Sequence, residues 1–348
     1  MKCGIFTSKF IKISIAVCAL ITLCVAFIAC DGEEKDVKTF EESWMSYISD
    51  ETLVSEVVMP GSHDAGTHGA QELWETQHST IGQQLYAGSR YFDFRATKPT
   101  SGEKEVYFFV HANSDVPALI TACGQRVEDT MNAIKAFIER NPEEVLILDF
   151  QHTWVRTEEG LIELIKNTLP MDKVLTKNDC DDPTTVTFGK MRELKKNIIV
   201  IYKDTSSDIC ERYDWLFKRS QYLQSDYAGD EHKGDADRLK TQWQAYFDAK
   251  KDGVFFVLQS QLTGSPLEGR EALIRPVLDD YLKNTVAKDE AKLADLNIVM
   301  KDFIADDVAE CEVSSKEAIH TIISLNADKG NVKADKLEDF KNACGYNG

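Results

Sequence analysis

The stretch RVEDTMNAIKAFIERNPEEVLILDF, residues 126–150, carries one complete helix-to-strand unit. Val127, Met131, Ile134 and Ile138 recur at helical spacing, and Ala133 and Phe137 widen the same face, which predicts a helix over Arg126–Arg140. Asn141-Pro142 ends it, because the residue before a proline avoids the α region. Glu143-Glu144 then leads into Val145-Leu146-Ile147-Leu148, a continuously apolar run of the kind a parallel strand needs when both its faces are covered. Outward from this unit the same alternation repeats. Strands are expected at Val54–Met59, Arg90–Phe94, Val106–Val110, Val145–Phe150, Asn197–Tyr202, around Tyr222–Gln224, Val254–Gln259 and Asn297–Lys301. The clearest further helices are Glu158–Thr168, Asp237–Ala249 and Glu271–Asn284. Eight strands with helices between them, in about 290 residues, fit the α/β class and a (β/α)8 TIM-type barrel, regular or irregular.

The first thirty residues read differently. Lys2, Lys9 and Lys12 precede an almost unbroken apolar run from Ile13 to Ala29, which ends at Cys30. A basic head and an apolar stretch of this length form a secretory signal, which is kept out of fold reasoning. Phe27-Ile28-Ala29-Cys30 resembles a bacterial lipoprotein cleavage box, which would make Cys30 the lipidated first residue of the mature chain. The alternative is an uncleaved signal anchor, for which the run is short. Asp31-Gly32-Glu33-Glu34-Lys35-Asp36 can bury nothing and reads as a solvated tether. Such an acidic run is similar to the surface-export signal of Bacteroidetes lipoproteins. The expected organisation is a lipoprotein signal peptide at 1–29, an acidic tether at 30–45, a barrel at 46–330 and a C-terminal tail at 331–348. The expected location is the cell envelope, anchored by lipid, on the outer membrane or at the surface.

The 348 residues carry a net charge of −18, and the leader's three lysines make the remainder more negative still. Such a chain is a poor partner for nucleic acid. An anionic membrane should also repel it, so a lipid anchor rather than a basic face must hold it at a membrane. Of nine cysteines, Cys123, Cys180, Cys210, Cys311 and Cys344 lie beyond the leader and form no CxxC pair. One or two disulfides are expected at most, with a thiol left over.

Catalytic groups of a parallel barrel sit at the C-terminal ends of its strands. The residues in those places are His63 and Asp64, then Asp93 and Arg95, His111, Gln151 and His152, Lys203 and Asp204, Gln259 and Gln261, and Asp302. Two imidazoles can serve a phosphate ester as general base and general acid, and an arginine can stabilise its charge.

Pro60-Gly61-Ser62-His63-Asp64-Ala65-Gly66-Thr67, followed by Arg90-Tyr91-Phe92-Asp93-Phe94-Arg95 and Val110-His111, resembles the X domain of phosphatidylinositol-specific phospholipase C. Leu146–His152, Phe255–Gln259 and Asn297–Phe303 are similar to the subgroup of X-domain-containing phospholipase C-like proteins. The resemblance runs in order over roughly residues 46 to 327. It implies a phosphatidylinositol diacylglycerol-lyase, in which the inositol 2-hydroxyl attacks the neighbouring phosphorus, expels diacylglycerol and leaves inositol 1,2-cyclic phosphate. It casts His63 as the base and His111 as the acid. Asp302 becomes the partner of the base, Asp64 the partner of the acid, and Asp93 an acid that helps hold Arg95 and the 2-hydroxyl. Arg95 matches the arginine that replaces calcium in bacterial members, which implies no metal and no cofactor. Gln151 departs from the lysine of secreted bacterial enzymes and the glutamate of calcium-dependent ones. Lys203, Tyr227 and His152 are further candidates for binding phosphate or hydroxyl groups. The partners implied are an inositol phospholipid and, through the lipid anchor, a membrane, with the chain acting as a monomer.

Plainer readings stand beside these. His63 and His111 could be structural, Arg95 a surface ion pair, Asp302 a loop acid and Asp64 a helix N-cap. His68, five residues after His63, lacks the i, i+4 spacing of a helical zinc pair. His78, His232 and His320 are expected to be uninvolved. Two other classes stay open: a lipoprotein that binds a headgroup without turnover, and a phosphodiesterase acting on another diester, such as a metal-dependent glycerophosphodiesterase.

Overall fold

The computed structural model describes residues 37–99, 106–112, 122–155, 158–203, 208–228 and 234–345. Cys30 and the leader, Asp204 and His232 lie outside them. Ten strands form one sheet: β1 Met59–Ser62, β2 Tyr91–Thr97, β3 Phe108–Val110, β4 Cys123–Arg126, β5 Leu146–Trp154, β6 Ile198–Tyr202, β7 Leu216–Lys218, β8 Leu223–Gln224, β9 Phe255–Gln259 and β10 Ile298–Lys301. Eight of them run parallel in the order β7-β6-β5-β2-β1-β10-β9-β8. The two ends of this path, β7 and β8, are not hydrogen-bonded neighbours, so the curled sheet stays open there. The α/β barrel class expected from the sequence holds, in an irregular, open form.

The count of eight survives, but one of its members is replaced. The strand expected at Val106–Val110 is antiparallel: β3 pairs with β2 and with β4, outside the parallel path. The connection from Thr97 to Phe108 is too short for the crossover of a dozen or more residues that a parallel pairing needs. Its place among the eight is taken by β7, which follows a one-turn helix, Ile209–Arg212. The first strand begins at Met59, later than expected, because Val54–Glu56 forms a 3-10 turn.

The helices that cover the sheet are α1 Ile81–Ala87, α2 Val127–Arg140, α3 Glu158–Thr168, α4 Phe188–Leu194, α5 Ala236–Asp248, α6 Leu267–Tyr281, α7 Glu290–Asp295, α8 Ser315–Asp328 and α9 Leu337–Cys344. Strand β6 shows how the layers divide. Successive side chains of a strand point to opposite faces. Ile199 and Ile201 join the inner cluster with Met59, Ile147, Val257 and Met300. Ile198, Val200 and Tyr202 join an outer cluster with Met131, Ile134 and Ile138 of α2 and Leu161 and Ile165 of α3. Both faces are buried, hence the unbroken apolar sequence.

The folded unit exceeds its expected bounds at both ends. Trp44 and Met45, within the bounds set for the tether but read from Ser43–Tyr47 as part of a packed N-terminal helix, and Phe340 and Cys344, expected in the tail, are buried in the inner cluster. Trp44 Nε1 donates to Gly88 O at 3.1 Å, and Met45 N donates to Glu144 Oε1 at 3.1 Å. Arg90 and Glu144, which precede β2 and β5, form a fully buried pair at 2.7 Å, and Arg90 also donates to the carbonyls of Glu41 and Glu42. These contacts close the N-terminal end of the barrel and leave the other end for chemistry. Cys123, Cys180, Cys210, Cys311 and Cys344 are all free thiols, so the disulfides considered from the sequence do not form among them. Cys210 and Cys344 are buried in separate clusters.

Candidate active site

Register decides who meets whom at the C-terminal rim. Ser62 of β1 pairs with Lys301 of β10 on one side and with Phe92 of β2 on the other. The residues just beyond, His63, Asp302 and Asp93, therefore converge. His63 Nδ1 lies 2.7 Å from Asp302 Oδ1. Asp64 follows with a left-handed φ of 42°, a conformation aspartate tolerates better than most residues, and this turn sends its carboxylate into the same space. On β2, Tyr91, Asp93 and Arg95 share one face by the two-residue period.

Arg95 is the hub. Its Nε is 2.7 Å from Asp64 Oδ1, its Nη2 is 3.5 Å from Asp93 Oδ2 and 3.1 Å from His63 Nε2, and its Nη1 donates to Ala112 O at 3.2 Å. His63, Asp64 and Asp93 hold ligand-type atoms within 4.8 Å of one another. The guanidinium contacts all three, so one positive charge already sits among them.

His111 arrives from the β3–β4 hairpin. Backbone contact holds that hairpin against the His63 loop: Gln125 N donates to Gly66 O at 2.8 Å. Neither glycine here could carry a side chain, since a Cβ on Gly66 would lie 2.4 Å from Phe109 Cβ and one on Gly124 would lie 2.3 Å from Gly66 O. The His63 and His111 rings are 6.4 Å apart. His111 Nδ1 donates to Trp74 O at 3.0 Å, with the Trp74 ring edge-on at 5.5 Å, and His111 Nε2 faces Asp64 Oδ2 at 3.7 Å. The expected partnership of Asp64 with His111 is therefore modified. A main-chain carbonyl holds the orienting nitrogen, and Asp64 faces the working one. A carbonyl belongs to every residue, so no residue type in the sequence could announce it.

The electrostatics follow from burial and charge. Burial would lower the proton affinity of His63, but the Asp64 and Asp302 carboxylates outweigh it and raise the pKa to about 8. Burial favours a neutral Asp64, yet Arg95 first, then His63 and His111, hold it below the usual carboxylate range. Asp93 is pushed up to about 6 by burial and by the Asp64 charge, against the pull of Arg95. Burial works against the charge on Arg95, and the Asp64 and Asp93 carboxylates more than restore it. The centre thus combines an imidazole oriented by a carboxylate, a second imidazole facing another, and a guanidinium between them. That set can take a proton from one side of a tetrahedral phosphoryl group, give one to the other and hold the charge that develops.

Arg95, Gln151, His152, Lys203 and Tyr227 line one cavity of about 520 Å3 beside this centre. Gln151 is the extra residue of a bulge, since Phe94 pairs with Phe150 and Arg95 with His152. His152 stacks on Trp154, and burial together with Arg95, Lys203 and Arg219 lowers its pKa. Lys203 Nζ pairs with Glu158 at 3.1 Å, and the Tyr227 hydroxyl meets Thr263 Oγ1 at 2.6 Å. A second cavity, about 590 Å3 beside α8 and Cys344, is lined by none of these groups. His68 and His78 pair with Glu75 and His320 with Glu41.

Sequence reasoning missed Arg219. It lines the cavity and donates to Asp149 at 3.0 Å, and Asp149 also accepts from the Tyr91 hydroxyl at 2.7 Å. The signal was present in Trp215-Leu216-Phe217-Lys218-Arg219, where a short apolar run meets two cations, but three strand residues are too few to establish a period.

Fold and rim together define a class: an open (β/α) barrel whose C-terminal end carries two facing histidines around an arginine. No protein-family model matches the chain. Its sequence is 24% identical over 282 residues to the 1-phosphatidylinositol phosphodiesterase of Listeria monocytogenes, covering 75% of this chain and 81% of that protein. It is 29% identical over 133 residues, 30% of the chain, to PI-PLC X domain-containing protein 2 of mouse and of human. The match spans 36% and 40% of the length of those two relatives. Among solved structures, the phosphatidylinositol-specific phospholipase C of Listeria monocytogenes superposes with a TM-score of 0.58 at 19% identity, covering 82% of this chain and 98% of that one. A mutant of the Staphylococcus aureus enzyme gives 0.57 at 16%, covering 81% and 96%. The chain is thus a sequence relative of PI-PLC X domain-containing proteins and has the fold of bacterial phosphatidylinositol-specific phospholipases C.

Proposed function

We propose that this protein is a metal-independent phosphatidylinositol-specific phospholipase C. His63 takes the proton of the inositol 2-hydroxyl, whose oxygen attacks the phosphorus. His111 protonates the departing glycerol oxygen, so that inositol 1,2-cyclic phosphate and diacylglycerol are formed. Arg95 neutralises the phosphoryl charge with a planar fork suited to two oxygens. Asp302 keeps the Nδ1 proton of His63 in place, so the basic lone pair lies on Nε2, which faces Arg95 Nη2 at 3.1 Å. The observation that carries this reading is the arrangement of His63, Arg95 and His111 over the buried acids Asp64, Asp93 and Asp302. The donor-lined cavity of Gln151, His152, Lys203 and Tyr227 is suited to a polyhydroxylated headgroup.

The test incubates the mature chain with phosphatidylinositol in mixed micelles and excess chelator, followed by ³¹P NMR of soluble phosphates. A cyclic inositol phosphate signal that His63→Ala or His111→Ala lowers by about 10²–10⁴-fold is expected. Activity that appears only with calcium or magnesium would favour a metal-dependent phosphodiesterase. Inositol binding without product would favour a headgroup-binding protein.

The chain is further proposed to be a monomeric lipoprotein, anchored to the cell envelope through Cys30. The leader sequence alone supports the anchor. Metabolic labelling with a fatty acid should mark the wild-type chain, and Cys30→Ala should remove the label.

A further inference from the structure

Three charged side chains lie completely buried behind the rim: Glu271 and Arg275 on α6, and Lys301 at the end of β10. Glu271 Oε1 accepts from Arg275 Nε at 2.7 Å and pairs with Lys301 Nζ. Arg275 Nη1 donates to Val313 O at 3.4 Å, and the other donors go to one short piece of backbone. Lys301 Nζ donates to Asp302 O at 2.9 Å, and Arg275 Nη2 donates to Phe303 O at 3.0 Å and Asp306 O at 2.9 Å. Phe303 holds a left-handed φ of 45°. Its N–H donates to Thr76 O at 2.8 Å, and the next amide, of Ile304, donates to Gln77 Oε1 at 2.9 Å. Gln77 in turn donates to the carbonyls of His63 and Lys301.

Two costly features coincide here. Buried ion triads often add no stability over apolar residues of the same volume. A non-glycine residue in the left-handed region persists only where its surroundings over-determine it. Both meet at the turn that carries Asp302, the carboxylate 2.7 Å from His63 Nδ1.

We infer that Glu271, Arg275 and Lys301 are positioning residues that hold the left-handed turn at Phe303 and so fix Asp302 against His63. This rests on the reading of His63 as the base. The groups facing His63 are Asp302, Asp64, Asp93 and Arg95, with His111 across the site. His63 N donates to Lys301 O at 3.1 Å along the β1–β10 ladder, but among the described residues no hydrogen bond or ion pair joins the triad's side chains to His63, so their effect passes through the placement of Asp302.

The test uses the full chain carrying Lys301→Met or Arg275→Met, each of which leaves Glu271 with one cation. A triple variant, Glu271→Leu with both of these, removes all three charges at similar volume. The His63 imidazole is titrated by NMR without substrate, thermal midpoints are recorded, and kcat and KM are measured on phosphatidylinositol micelles. In folded variants with an unchanged or raised midpoint, the proton affinity of His63 should drop about tenfold from its value near pH 8, toward the ordinary 6.5. Turnover, kcat, should fall about tenfold while KM stays within about twofold, the pattern of a lost transition-state interaction. An unmoved His63 titration in a folded variant overturns the inference. Failure of the triple variant to fold also overturns it, since the triad would then serve stability. The titration needs no substrate, so a wrong assignment of the lipid leaves this arm of the test standing.

Discussion

At the scale of single residues, pH is the most direct handle on the site. His63 must be neutral to act as a base, and Asp64 and Asp302 raise its pKa to about 8. kcat/KM should therefore rise with pH through a limb near 8 in a pH–rate profile of the free enzyme. Asp302→Asn removes one of the two charges that favour the imidazolium. The limb should then move to lower pH while the rate falls on the order of 10²–10⁴-fold, because the tautomer is no longer fixed. A limb that stays at the same pH in this variant would mean that Asp302 does not set the basicity of His63. The linkage to stability has the opposite sense. A histidine whose folded pKa is raised stabilises the fold fully below its unfolded value of about 6.5, and that contribution disappears as pH rises through about 8. The working pH of the base is thus the range in which its contribution to stability fades. The candidate residues themselves were legible one by one, since His63, Arg95, His111 and Asp302 each follow a short apolar run. The Trp74 carbonyl that orients His111 was not legible, because any residue at that position offers the same carbonyl.

At the scale of elements, the two ends of the strands have different duties. The C-terminal ends carry strained turns at Asp64 and Phe303 and unlike charges at close quarters. The N-terminal ends carry the Arg90–Glu144 pair, wholly buried under Trp44. Glu144→Ala leaves a buried guanidinium without its partner, which should cost about 3–5 kcal/mol. This would be read as a lower urea midpoint with an unchanged slope. Catalytic constants measured well below the transition should change little, because Glu144 lies at the end opposite the chemistry. Strand periodicity predicted most of these elements. Very short strands carry no period of their own: β3 became an antiparallel hairpin strand, and β4 and β7 went unread. Whether a short apolar run joins a parallel path depends on the length of its connection and on the neighbour that remains free, which are properties of the assembled sheet.

At the scale of the whole molecule, the net charge and the proposed lipid anchor work against each other. With a net charge of −18, a form of the chain without lipid should sediment less with vesicles containing phosphatidylserine than with neutral ones. The difference should shrink as salt is raised from about 0.01 to 0.15 M, because the Debye length falls from about 30 to 8 Å. Stronger binding to the anionic vesicles would point to a local basic face that the overall charge conceals. Composition, an alternating order of elements and the residues at strand ends are all local properties of the chain, and the sequence by itself determined them, together with the barrel class. The tertiary structure alone decided that the sheet stays open between β7 and β8, that residues from Phe40 to Cys344 belong to the folded unit, and that Arg219 joins the cavity. It also decided that three buried charges converge on the turn bearing Asp302. The physical reason is range. Periodicity and turn chemistry act over a few residues, whereas register, burial and the pairing of charges join groups as far apart as His63 and Asp302, 239 positions along the chain.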